Sequence, residues 1–190
     1  MRTALLLASL ALAPTAFGEQ PMIEGNPGSK VRVVIYGDLQ CPDCATLRKM
    51  LDQRLLPKYQ ATVAFEHRDF PLAKHAWARR AAVVARFFDE QKPELGLEFR
   101  RWALGSLRSI TAANFDRKIA DFARTRGVDP AQAVAAAGDA RLGALVEKDF
   151  QDGVARGVSH TPTALVNGQP FVETFTVEEI SKAIDSELKN

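Results

Sequence analysis

The only two cysteines in this 190-residue chain are Cys41 and Cys44, separated by Pro42 and Asp43. Two thiols at this spacing can pass between a dithiol and a disulfide, and the thiolate is the form that attacks. The pair would close only a tiny loop, so a bridge between them constrains the unfolded chain weakly and a structural role is poorly motivated. The three histidines, His67, His75 and His160, lack metal-ligand spacing to the pair, and no third or fourth cysteine completes a zinc set. A CxxC pair of this kind reads as a redox centre, and neither metal nor cofactor is expected.

The flanking residues say how such a pair is held. Val31-Arg32-Val33-Val34-Ile35-Tyr36 is rich in β-branched residues and predicts a central, covered strand. Gly37 to Gln40 leads into the cysteines, and a helical pattern follows at once. Cys44, Leu47, Leu51 and Leu55 form its apolar stripe, with Arg48, Lys49, Asp52 and Gln53 pointing elsewhere, and Pro57 closes the helix near Lys58. Cys41 thus meets the unpaired N–H groups and the positive end of a helix, which favour a thiolate. Pro42 fits the first helical position.

The rest of the chain supplies a frame. Glu19 to Lys30, with Pro21, Gly25, Pro27 and Gly28, reads as an extended lead-in. Ala61 to Phe70 predicts a second strand, parallel to the first through a right-handed crossover. The middle is helical: Trp77, Ala81, Val84 and Phe88 share one face, Leu95, Phe99 and Trp102 a second, and Phe115, Ile119 and Phe122 a third, ending at Gly127. Asp129-Pro130 with Gln132 starts another helix as a capping box, and Leu142, Val146 and Phe150 mark one more, to about Arg156. Thr163 to Val166, Asn167-Gly168 and Gln169 to Val172 form a hairpin, with Pro170 placing the last strand at a sheet edge. Thr176 with Glu179 caps a terminal helix striped by Val177, Ile180, Ile184 and Leu188.

At the start, Arg2, the apolar block Ala4 to Ala13 and Ala16-Phe17-Gly18 have the layout of a secretory signal, with cleavage expected between Gly18 and Glu19. A cut after Ala11-Leu12-Ala13 would leave Pro14 next to the scissile bond and is less suitable. The mature chain, residues 19–190, is expected to be soluble, exported and, by default, monomeric. A net charge of +2 without a basic run gives no reason to invoke nucleic acid.

Three local patterns together resemble the DsbA-like branch of the thioredoxin superfamily. Tyr36 to Cys44 is similar to its approach to the active site, Arg68-Asp69-Phe70-Pro71-Leu72 with His75 to its segment after the second strand, and Thr161-Pro162-Thr163 to Asn167-Gly168 to its cis-proline loop. The resemblance covers essentially the whole mature chain. It implies an α/β thioredoxin fold, with βαβ and ββα parts at about 30–72 and 158–190 and a mixed central sheet, interrupted by an all-helical subdomain at about 73–157. It also implies that Pro162 is cis and faces the cysteines.

On that resemblance Cys41 is the nucleophilic sulfur, Cys44 resolves the mixed disulfide, and the backbone of Thr161 beside Pro162 binds an extended substrate. Asp43 stands where the strongest oxidants of the branch carry histidine. Its carboxylate disfavours a Cys41 thiolate by roughly 1 kcal/mol for an exposed pair, which tunes the potential without setting the direction, unless Asp43 is simply a helix N-terminal acid. His160 departs from the usual glycine; either it offsets Asp43 near Cys41 or it is a solvated loop residue. Ile35 occupies the place of a buried acid in several thioredoxin-fold enzymes, and Glu66 is either a substitute proton acceptor or, more in keeping with a strand, a solvent-facing residue. His75 is expected to cap or pack near the start of its helix, and His67 to lie in a strand.

The leading function is disulfide transfer to cysteine-containing exported polypeptides, with re-oxidation by a quinone-linked membrane oxidase as the resemblance implies. A reductase or isomerase fed by a membrane electron donor uses the same residues, but Glu19 to Val31 leaves no room for an added dimerisation domain. A non-catalytic module, a copper or zinc binder or a chaperone, is the reading from a different class.

Overall fold

The computed structural model describes residues 22–190, so the expected signal segment and its cleavage site lie outside the described residues. Five strands form one mixed sheet in the order β1-β3-β2-β4-β5. β2 (Arg32–Gly37) and β3 (Ala64–Asp69) are parallel neighbours, with Arg32 opposite Ala64 and Gly37 opposite Asp69. β4 (Thr163–Val166) runs antiparallel to β2, and β5 (Gln169–Val172) antiparallel to β4. Asn167 and Gly168 both take positive φ, as the tight hairpin requires, and Pro170 lies in the edge strand.

One expected loop is a strand. Met22–Gly25 forms β1, antiparallel to β3, with Ile23 opposite Glu66. Pro27 falls outside the paired residues, and Met22 is buried among the helices, so pairing overrides the punctuation around it.

The cysteine helix runs Pro42–Met50 (α1), passes through a π-helical turn at Leu51–Leu55, and ends as α2 (Leu56–Tyr59). Pro57 therefore does not close it. The wide turn precedes the proline, whose ring would press on the carbonyl four residues back and which has no N–H to offer the ladder. Leu47, Leu51 and Leu55 are buried against Val33, Phe65, Val166 and Ile184, each such side chain contributing about 1.5–3 kcal/mol. Arg48, expected on the outer face, is buried instead, bonded to Glu24 of β1 and at 2.7 Å to Asp52.

Between β3 and β4 lie α3 (Ala78–Gln91), α4 (Pro93–Gly105), α5 (Phe115–Thr125), α6 (Pro130–Ala136) and α7 (Ala140–Ala155). Trp77, Phe88, Phe99, Phe115 and Phe122 form their common core, with Phe88 stacked on Phe99 and edge-on to Phe122. Asp129 caps α6 through the N–H of Ala131 rather than that of Gln132, so the expected box is replaced by a simple cap. α7 returns along the sheet, and Gly153 sets its approach: a Cβ there would meet the Phe70 ring at 2.7 Å. α8 (Val177–Glu187) closes the fold with a complete Thr176–Glu179 capping box.

Candidate active site

Cys41 is the N-cap residue of α1, with extended backbone, and Pro42 opens the helix. The turn before it is built on Asp38, almost fully buried, whose carboxylate accepts the N–H groups of Gln40 and Leu72, both at 2.7 Å. The N–H of Asp38 in turn donates to the Cys44 sulfur at 3.4 Å. Both cysteines are reduced and only 5% exposed.

The two sulfurs are in opposite situations. Cys41 is held down to about 6, chiefly by a hydrogen bond from the Cys44 thiol, against the cost of burial and with help from the backbone N–H groups of Cys44 and Asp43. Cys44 is pushed well above the usual thiol range, first by its burial and then by the same bond to Cys41. The first thiol is therefore a thiolate at neutral pH and the second its proton-bearing neighbour.

The loop before β4 faces them. The Thr161–Pro162 peptide bond is cis, and the Thr161 carbonyl lies 3.3 Å from the Cys41 sulfur. The Thr161 hydroxyl is buried without a partner of hydrogen-bond geometry, yet it lies close enough to both sulfurs to favour their charged forms. Pro162 closes a cavity of about 30 Å³ beneath Cys44, reached also by Arg48, His67 and Arg100. That volume holds a water molecule or two, and the lining supplies polar partners for them.

Cys41, Asp43 and His160 line one open cleft together with Lys74, His75 and Glu173. Asp43 and His160 are both solvent-exposed, and the His160 ring bonds the Ser159 hydroxyl at 2.8 Å. Glu66 fits neither role offered for it. It is buried, paired with Arg32 at 2.7 Å and with Arg68, and does not line the Cys44 cavity.

Three sets of contacts in this part of the fold are not visible in the sequence. His75 lies just before α3, its carbonyl accepting the N–H of Ala78 at 3.3 Å, and its Nδ1 sits 2.7 Å from Asp38. His67 bonds Glu24 at 2.7 Å; burial keeps the ring uncharged. Burial also opposes the Glu24 charge, but the bond from His67 and the Arg48 guanidinium hold it far below the usual carboxylate range. Asp69, fully buried, meets Arg86 at 2.7 Å and Arg100, while Asp149 takes Arg86 and, at 2.8 Å, Arg68. An acid just ahead of the CxxC turn was the one available signal for Asp38; the pairs across the fold leave none.

Comparison with known proteins agrees with this geometry. The fold is similar to that of BdbD from Bacillus subtilis, with a TM-score of 0.81 at 20% identity over 92% of this chain and 96% of that one. It is similar to the thiol-disulfide exchange protein α-DsbA2 from Wolbachia pipientis (TM-score 0.75, 21% identity, 88% and 87% covered). A thioredoxin-like oxidoreductase from Silicibacter pomeroyi superposes with a TM-score of 0.74 at 21% identity, 92% and 96% covered. No curated protein sequence matches. The family description Thioredoxin matches residues 18–186, and the chain belongs to the thioredoxin family.

Proposed function

We propose that the protein is an exported thiol-disulfide oxidoreductase that introduces disulfides into other exported polypeptides. The observation that carries this reading is the split between the sulfurs: an acidified Cys41 at a helix N-terminus, beside a Cys44 thiol driven to keep its proton. A depressed Cys41 stabilises the reduced protein, and a stabilised dithiol makes its disulfide oxidising. The likeness to a thiol-disulfide exchange protein supports the same chemistry.

In the oxidising direction a substrate thiolate attacks the Cys41 sulfur of the Cys41–Cys44 disulfide, whose bond breaks with its electron pair on Cys44. A second substrate thiolate then attacks the mixed disulfide at the substrate's sulfur, leaving an oxidised substrate and a Cys41 thiolate. Thr161 offers its carbonyl and Pro162 its apolar face to an extended chain, so binding reads backbone rather than sequence. Asp43 and His160 line the cleft with Cys41. A quinone-linked membrane oxidase restores the disulfide, and the protein acts as a monomer.

The test is the reduction potential of the Cys41–Cys44 couple against glutathione buffers. Disulfide donors of the DsbA type lie near about −120 mV and thioredoxin near about −270 mV. A value close to the first supports the oxidase; one close to the second makes the protein a reductase. If no disulfide forms, both redox readings fail.

A further inference from the structure

His75 lies in the cleft with Cys41, and its Nδ1 is 2.7 Å from the Asp38 carboxylate. That carboxylate is pinned by the N–H groups of Gln40 and Leu72, so the ring is oriented by a fixed, buried acceptor. In the neutral imidazole the Nδ1 hydrogen then belongs to this bond and Nε2 is a bare acceptor. Nε2 has no hydrogen-bond partner among the described residues and is not a buried unpaired atom, so it is open to solvent on a residue that lines the cleft. A carboxylate that fixes the tautomer and orientation of a histidine lining the same cleft as a reacting sulfur is the arrangement of an oriented general base.

We propose that His75, positioned by Asp38, is the base that takes the proton from an incoming substrate thiol. This rests on the oxidoreductase reading. The proton passes from the substrate sulfur to Nε2, and that sulfur's electron pair forms the bond to Cys41. The Cys41–Cys44 bond breaks, and its pair stays on the Cys44 sulfur. The substrate sulfur is oxidised to a mixed disulfide and Cys44 is reduced; the imidazolium releases its proton to solvent, and Cys44 takes one from water. His160 has no such anchor, its ring being held only by the adjacent Ser159 hydroxyl.

The need for a base follows from the substrate. A free thiol with a pKa of about 8.5 is only about 3% thiolate at pH 7, so a base can accelerate attack by up to about 30-fold there and by almost nothing at pH 9. The charged and titratable groups around the ring are Asp38, Cys41, Asp43, Lys74, His160 and Glu173.

The experiment uses the oxidised full chain and a cysteine-containing peptide, with second-order rates measured at pH 7 and pH 9. His75→Asn keeps a donor for Asp38 but removes the base. It should be about tenfold slower than the parent at pH 7 and equal to it at pH 9, with the thiolate absorbance titration of Cys41 unchanged. Added imidazole should restore the pH 7 rate of His75→Ala. Equal rates at both pH values, or the same loss at both, overturn the assignment. If the parent protein itself exchanges no disulfide at either pH, it is the oxidoreductase reading that fails.

Discussion

At the start of the parallel pair, Val31, Val33, Val63 and Phe65 pack with Leu51, Leu55, Ile180 and Ile184, with no polar atom among those side chains. Farther along β3, the uncharged His67 bonds the buried Glu24 carboxylate, and Asp69 is paired with Arg86 and Arg100. Both regions are buried, yet they tolerate change differently. An apolar core loses stability in proportion to the volume removed, whereas a buried charge set is held by mutual compensation and fails when one partner goes. The charged end is also the end that carries Cys41 and Cys44, and its ion pairs tie the sheet to α3, α4 and α7. We infer that this end trades tolerance for a fixed placement of the helical block over the cysteines.

The sharpest break in this contrast is Asp69→Ala, which takes away the buried carboxylate that Arg86 and Arg100 share. A loss of about 3–5 kcal/mol is expected in urea denaturation; a cost below 1 kcal/mol would show that water enters the seam and that the contrast is false. Next comes pH. A folded-state Cys41 held to about 6, against an ordinary value of 9.0, stabilises the reduced fold above the unfolded pKa, and this contribution is lost as pH falls through about 6. Reduced protein should therefore gain about 1–3 kcal/mol on going from pH 5 to pH 8.5, after allowance for solvent screening, beyond any gain of the oxidised form. Parallel pH curves for the two forms would remove Cys41 as the cause. The smallest effect belongs to the apolar end, where Ile184→Val, at a fully buried position, should cost about 1 kcal/mol and leave the potential of the couple unchanged.

Legibility in the sequence follows the same division. The strand before the cysteines, the stripe of α1, the hairpin and the capped α8 are local patterns, and each is where periodicity and turn chemistry place it. The CxxC pair is legible for the same reason, since its helix follows it directly. β1 was not legible, because four residues between prolines and glycines become a strand only when β3 is alongside. Arg48 reads as an outward-facing residue because its partner Glu24 is 24 positions away. Asp38 and His75, 37 positions apart, show the same limit at the site itself: each is an ordinary residue until folding closes the distance.

At one edge of the sheet lies β5, where Gln169, Pro170 and Val172 are exposed. An open edge invites a foreign strand to extend the sheet. Four residues with a proline among them make a poor template, because one rung has no N–H to offer and the run is too short to hold a guest. The flank of the molecule thus offers little to a passing strand.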